Sequence, residues 1–278
     1  LYRNVHVIVT EEAHIPVWGT YVTTPTVNKD FAKVNVRTQV VLPEGADLDK
    51  YSVETSIWNP NHQRLTSLRT PLSQIQYSDN QASQDFVLRQ PSLWSPASPV
   101  LYSVETRLYE GEELKDIYTT PFGVRSIEIV PGKGFFLNGE KTVFKGVCNH
   151  HDLGPLGAAV NDAAIRRQIR ILKDMGCNAI RTSHNMPAPE LVRACDEMGM
   201  MIMAESFDEW NVAKCKNGYN LLFDEWAEKD LTNLIHNFRN NPSVVMWCIG
   251  NEVPNQWNEG DCKIAKMLQD ICHREDPT

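Results

Sequence analysis

The pattern of apolar residues changes its period part-way along the chain, and that change constrains the fold more than any single motif. Up to about residue 125 the rhythm is two. Val5, Val7 and Val9 share one face, as do Tyr51, Val53, Thr55 and Ile57. The run Phe31-Ala32-Lys33-Val34-Asn35-Val36 repeats it, and so do the stretches from Gln84 to Leu88, Leu101 to Leu108 and Leu114 to Tyr118. A strand turns successive side chains to opposite faces, so alternation predicts half-buried β-strands. Turn-formers separate the runs at Pro43-Glu44-Gly45, Asn59-Pro60-Asn61, Ser78-Asp79-Asn80 and Glu110-Gly111. About seven short strands without a helical stretch predict an antiparallel β-sandwich of immunoglobulin type over residues 1–125.

Beyond Phe122-Gly123-Val124-Arg125 the rhythm becomes mixed, and residues 126–278 are expected to form a second domain. Asn138-Gly139 between Phe135-Phe136-Leu137 and Thr142-Val143-Phe144 predicts a hairpin. Strand-like and helix-like segments then alternate four times. Val143 to Val147 is a strand. Asn161 caps a helix with Ile165, Ile169 and Leu172 on one face, stopped by Gly176. Ala179-Ile180 starts the second strand, and Glu190 to Met198 is the second helix, stopped by Gly199. Met200 to Ala204, Asp224 to Asn240 and Val244 to Ile249 follow as strand, helix and strand. Ile264, Met267, Leu268 and Ile271 mark the last helix.

Repeated strand–helix units predict parallel β-structure, because each crossover helix returns the chain in the same direction. A doubly wound sheet and a (β/α)8 TIM barrel both fit that pattern. Gly146-Val147-Cys148-Asn149-His150-His151 stands where the doubly wound sheet would carry a glycine-rich phosphate loop, which favours the barrel. A whole barrel takes roughly 250 residues. Val143 to Thr278 has room for four units, so the expectation is the first half of a barrel, cut at both ends of the chain.

Charge and cysteine content narrow the partners. Lys and Arg total 27 against 35 Asp and Glu, a net charge of −8, which disfavours nucleic acid. No run approaches the apolar length of a membrane helix, so no membrane partner is expected. The opening residues Leu1-Tyr2-Arg3-Asn4 lack the layout of a signal peptide. The 7 cysteines all lie from Cys148 onward, without zinc or disulfide spacing, and read as free thiols. They leave the compartment open between cytoplasmic and extracytoplasmic.

Polar residues collect where the predicted parallel strands end: His150 and His151, Arg181 and His184, Glu205 and Asp208, Asn251 and Glu252. Barrel enzymes place their functional groups there. Glu252, partly desolvated at a rigid strand end, suits a general acid, and Asn251 suits a sugar hydroxyl. Arg181 can hold a carboxylate by two parallel hydrogen bonds, and His184 can donate to a sugar oxygen. Adjacent strand residues face opposite ways, so only one of His150 and His151 meets the site, and His150 is taken as that one. Glu205, Asp208, Glu209 and Trp210 read almost equally as a solvated loop or as sugar contacts. Trp94, in the turn-rich segment Gln90 to Pro96, is expected to be packing.

Taken in order, these motifs resemble glycoside hydrolase family 2, the group of β-galactosidases, β-glucuronidases and β-mannosidases. The resemblance rests on Leu93-Trp94-Ser95-Pro96 with Pro99-Val100-Leu101-Tyr102, on Phe122-Gly123-Val124-Arg125, and on Phe136-Leu137-Asn138-Gly139 with Lys145-Gly146-Val147. It is completed by Arg181-Thr182-Ser183-His184 and Gly250-Asn251-Glu252. It implies a jelly-roll domain ahead of the sandwich, with Leu1-Tyr2-Arg3-Asn4-Val5 as its end. It also implies a retaining exo-β-glycosidase, most simply a β-galactosidase, acting on carbohydrate through two carboxylates.

Glu252 takes the acid/base role in that picture. The nucleophile follows a seventh strand outside this chain, roughly 5 to 5.5 Å from the acid in enzymes of this kind. Asn251 meets the sugar 2-hydroxyl, His184 and His150 line the subsite, and Arg181 supports the nucleophile. By itself the chain is expected to be inactive, and its open sheet edges are expected to drive homo-oligomers. The magnesium site of some relatives uses Glu-x-His after the third strand. Here the string is Glu205-Ser206-Phe207, so no metal and no other cofactor is expected. The alternatives are a carbohydrate-binding protein that has lost catalysis, and a β-glucuronidase or β-mannosidase.

Overall fold

The computed structural model describes residues 3–78, 81–253 and 259–278. Leu1-Tyr2 and the predicted turn residues Asp79-Asn80 lie outside the described residues. Two compact units emerge, one of residues 5–142 and one of residues 1–4 with 143–278.

In the first unit eight strands form two antiparallel sheets. Strands β1 (Thr20–Val27), β2 (Phe31–Gln39), β6 (Gln81–Arg89) and β5 (Gln76–Ser78) make one sheet in that order. Strands β4 (Arg64–Pro71), β3 (Tyr51–Trp58), β7 (Tyr102–Glu110) and β8 (Glu113–Phe122) make the other. The alternating residues do turn inward: Val34 and Val36 of β2, Val53 and Ile57 of β3, and Val104 and Leu108 of β7 are buried. Two apolar clusters fill the interior, one around Ile57, Val104 and Phe122, the other around Val53, Leu72 and Leu108. Between them on their strands lie buried polar residues, Thr38, Thr55, Gln84 and Thr106. Trp94 is fully buried, and its carbonyl accepts a hydrogen bond from Asn138 Nδ2 at 3.0 Å.

Two sequence expectations need correction in this unit. Val5, Val7 and Val9 join no sheet among the described residues and are 71%, 89% and 90% exposed. Alternation reports a readiness to pair, and no described strand lies beside them. The hairpin is also tighter than predicted. Strand β10 (Gly134–Leu137) pairs with β11 (Glu140–Lys141) and with β9 (Ile127–Val130). Asn138 and Gly139 take φ values of 53° and 79°, the two positive angles that a two-residue turn of this twist requires. The return strand therefore starts at Glu140 rather than at Thr142.

In the second unit four parallel strands alternate with four helices. The order is β12 (Gly146–His150), α1 (Asp162–Asp174), β13 (Ala179–Ser183), α2 (Pro189–Met198), β14 (Met201–Glu205), α3 (Phe223–Phe238), β15 (Val244–Cys248) and α4 (Glu259–Glu275). The strands lie in sequence order, the arrangement of half an eight-stranded barrel. Asn161 caps α1, its side chain accepting from Ala164 N at 3.0 Å, and Gly199 ends α2 with φ 74°.

One face of the sheet carries Ile180, Ile202, Ala204 and Val244 against Ile169, Val192, Leu231, Leu234 and Leu268 of the helices. Each of the larger aliphatic side chains, removed from water, contributes about 1.5–3 kcal/mol. Strand β12 begins three residues later than the apolar run suggested, and so carries Cys148, Asn149 and His150 within its hydrogen-bonded ladder.

Candidate active site

The parallel register decides which side chains meet. Cys148 lies opposite Arg181, Arg181 opposite Met203, Met203 opposite Met246, and Glu205 opposite Cys248. Opposed residues of a ladder point the same way, so these form the face of the sheet turned from the helices. A cavity of ≈ 260 Å³ opens on this face, lined by Phe144, Cys148, Arg181, Met203, Val245 and Met246.

Glu205 is the centre of the polar cluster and is 0% exposed. It accepts a hydrogen bond from Arg181 Nε, and His184 Nδ1 donates to its Oε1 at 2.9 Å. Its own backbone N–H donates to Thr182 Oγ1 at 3.0 Å. Burial draws the Arg181 guanidinium down, but the hydrogen bond and charge of Glu205 outweigh it and hold the group above its usual range. A buried carboxylate persists only when paired and hydrogen-bonded in this way. The solvated-loop reading of Glu205 is therefore corrected: it is the last residue of β14 and is enclosed. Glu209 and Trp210 are buried as well, and only Asp208 of that group is exposed.

Asn251 ties the fourth strand end to the second and third. Arg181 Nη2 donates to its Oδ1 at 3.0 Å, and its Nδ2 donates to Asp208 Oδ1 at 2.9 Å. Lys214 Nζ donates to Asp208 Oδ1 at 3.1 Å and to the Asn251 carbonyl at 2.7 Å. Burial would raise the Asp208 carboxyl, yet these donors from Asn251 and Lys214 keep it below the usual range, so it is ionised. Trp210 Nε1 donates to the Ile249 carbonyl at 2.8 Å. The indole lies so close that a Cβ at residue 250 would fall 2.7 Å from Nε1, which is why Gly250 precedes the Asn-Glu pair.

The structure thus brings Arg181, His184 and Asn251 into one bonded network. The His150 ring meets His184 edge-on, with centroids 5.0 Å apart. His151 turns away, with Nε2 2.9 Å from the Ala158 carbonyl. Glu252 follows Asn251 directly. Its side chain is exposed rather than desolvated, and it makes no hydrogen bond or ion pair with a described residue. Its φ of 42° lies in the left-handed region, a conformation that costs a side-chain-bearing residue of order 1–3 kcal/mol. The departure from the expected desolvation has a plain cause, since Glu252 stands past the strand end in a turn.

A cation does not fit at Glu205-Ser206-Phe207. One Glu205 oxygen is taken by Arg181 and the other by His184, and Phe207 stacks on Tyr219 at 5.2 Å between centroids. Sequence reasoning did not single out Lys214 at all. Nothing about Lys214 in the loop Asn211 to Gly218, which also carries Lys216, marks it, since its partners lie 6 and 37 residues away.

This bonded cluster across four parallel strand ends meets a family signature. Residues 128–278 match the model for the glycosyl hydrolases family 2 TIM barrel domain, and residues 13–125 match a second glycosyl hydrolases family 2 model. The chain belongs to glycosyl hydrolase family 2. It is 44% identical over 259 residues to the β-galactosidase BoGH2A of Bacteroides ovatus, covering 93% of this chain and 30% of that protein. It is 28% identical to a β-glucuronidase of Bacteroides fragilis, covering 100% of this chain and 41% of that one. A crystal structure of a glycosyl hydrolase family 2 member from Bacteroides cellulosilyticus superposes with a TM-score of 0.90 at 35% identity, covering 96% of this chain and 34% of that one. The chain spans about a third of the length of these family 2 relatives.

Proposed function

We propose that this chain supplies the acid/base half of a retaining exo-β-glycosidase that removes terminal β-linked sugars, with galactose as the sugar. The observation that carries the reading is Asn251, locked by Arg181 and Asp208 at a strand end, with the open carboxyl of Glu252 beside it. Glu252 protonates the departing glycosidic oxygen and then takes a proton from water. Asn251 meets the 2-hydroxyl, and His184 and His150 line the sugar subsite. Arg181 already gives Nε to Glu205 and Nη2 to Asn251. Among the described residues its Nη1 has only the Cys148 sulfur, at 4.0 Å, and is the edge left to support a nucleophilic carboxylate.

Galactose is favoured by the 44% identity to a β-galactosidase. A β-glucuronidase is the second reading, favoured by several relatives of that name at 26% to 34% identity. The test is a panel of nitrophenyl β-galactoside, β-glucuronide and β-mannoside with the full-length protein and its Glu252→Gln variant. Hydrolysis of the galactoside is expected, and on phenyl β-galactoside, whose leaving group needs a proton, the variant is expected to lose about 10²–10⁴-fold. Equal rates for the two proteins on that substrate would sink the acid/base role. Absence of turnover on every sugar would favour a carbohydrate-binding protein.

A further inference from the structure

Glu252 stands one peptide beyond Asn251, and among the described residues a single side chain holds that peptide. The Lys214 ammonium donates to the Asn251 carbonyl at 2.7 Å. That carbonyl belongs to the planar unit joining Asn251 to Glu252, so fixing its oxygen fixes the plane from which the Glu252 side chain departs. The restraint matters because Glu252 rests at φ 42°, a conformation that persists only where the surroundings hold it.

Lys214 is in turn set by Glu209. This carboxylate is 3% exposed and spends both oxygens on the backbone: Oε2 accepts Lys214 N at 2.7 Å, and Oε1 accepts Asn220 N at 2.9 Å. Gly218 lies so near that a Cβ there would fall 1.9 Å from Oε1, so the loop closes directly on the carboxylate. Residues 208 to 214 therefore grip the segment after β15 at three points. Asp208 takes the Asn251 amide, Trp210 the Ile249 carbonyl and Lys214 the Asn251 carbonyl.

We infer that Lys214, anchored by Glu209, is a positioning residue for Glu252, aiming its carboxyl at the glycosidic oxygen by holding the Asn251–Glu252 peptide. The inference rests on the acid/base role proposed for Glu252. A lysine that merely braces the loop predicts something different. Aim matters for a leaving group that needs a proton and hardly at all for one that departs unaided, whereas a loosened loop would slow both.

The experiment measures kcat/KM of the full-length enzyme on phenyl β-galactoside, a poor leaving group, and on 2,4-dinitrophenyl β-galactoside, an activated one. Lys214→Met is expected to lose about tenfold more on the phenyl substrate than on the dinitrophenyl one. Lys214→Arg, which keeps a cationic donor, is expected to recover most of that difference. Should Lys214→Met not fold, Lys214→Gln compared with Lys214→Arg carries the same test. Equal losses on both substrates overturn the inference. Glu252→Gln is run alongside: if it shows the leaving-group split and Lys214→Met does not, only the positioning role fails. If Glu252→Gln shows no split, the acid/base reading itself is lost.

Discussion

The sandwich and the α/β unit bury polar atoms in opposite ways. Among the described residues, the buried polar groups of the sandwich are all neutral: Thr20, Thr38, Ser52, Thr55, Ser56, Gln84, Thr106 and Thr120. Those of the α/β unit include the carboxylates of Asp196, Glu205 and Glu209. A buried hydroxyl asks little of its neighbours, whereas a buried charge ties several of them to fixed places. The unit that must hold groups in register is the one that encloses charge.

Four measurements bear on this contrast. Arg181→Met is the severest, because it leaves the Glu205 carboxylate enclosed with His184 as its remaining side-chain partner. Urea unfolding should show a loss of about 3 kcal/mol, the low end of the range for a broken buried pair because Arg181 is itself only half-buried. Glu209→Ala comes next, orphaning the N–H groups of Lys214 and Asn220 at about 2–3 kcal/mol in the same measurement. A change much smaller than this would show that the loop satisfies those donors elsewhere, and the contrast between the units would weaken.

A pH effect of smaller size belongs to His236. Burial first, and the nearby Arg239 charge second, press its imidazole below the ordinary 6.5, while Glu275 pulls the other way. The unfolded ring therefore takes up a proton more readily than the folded one. This residue's contribution to stability is full above pH 6.5 and declines as pH falls toward the lower folded value. Thermal unfolding of His236→Gln between pH 7.5 and 5 should show a flatter decline than the parent.

The mildest change is Thr55→Val in the sandwich. The Thr55 hydroxyl has no partner among the described groups. Its removal should stabilise by about 0.5–1 kcal/mol, read as a raised urea midpoint. A clear destabilisation would mean that the neutral polar groups bind their neighbours as tightly as the charged ones do.

Much of this architecture could be read from residue order because its signals are local. Asn161 announces a helix start, Gly199 a helix end, and Asn138-Gly139 a turn, each through chemistry contained in a few residues. The errors share a different origin. The apolar run places strand β12 too early, because the polar Asn149 and His150 at its end complete the ladder. Glu205 reads as loop because an acidic residue after an apolar run usually is one. Its burial depends on Arg181, 24 positions earlier and on the neighbouring strand. The exposed run from Val5 to Val9 fails in the reverse sense, because its pattern is that of a strand and no described neighbour completes it.

The alternation along the parallel strands has a final consequence. Arg181, Met203, Glu205 and Met246 share one face, while Ile180, Ile202, Ala204 and Val244 pack the other against helices. Exchanging Met203 or Met246 of the first row alters the surface offered to a ligand without touching the second row, whereas Arg181 and Glu205 are tied to each other and cannot be exchanged singly without a cost in stability. Such a sheet separates what can drift from what must be kept, and new specificities are reachable on it by single replacements that leave the scaffold standing.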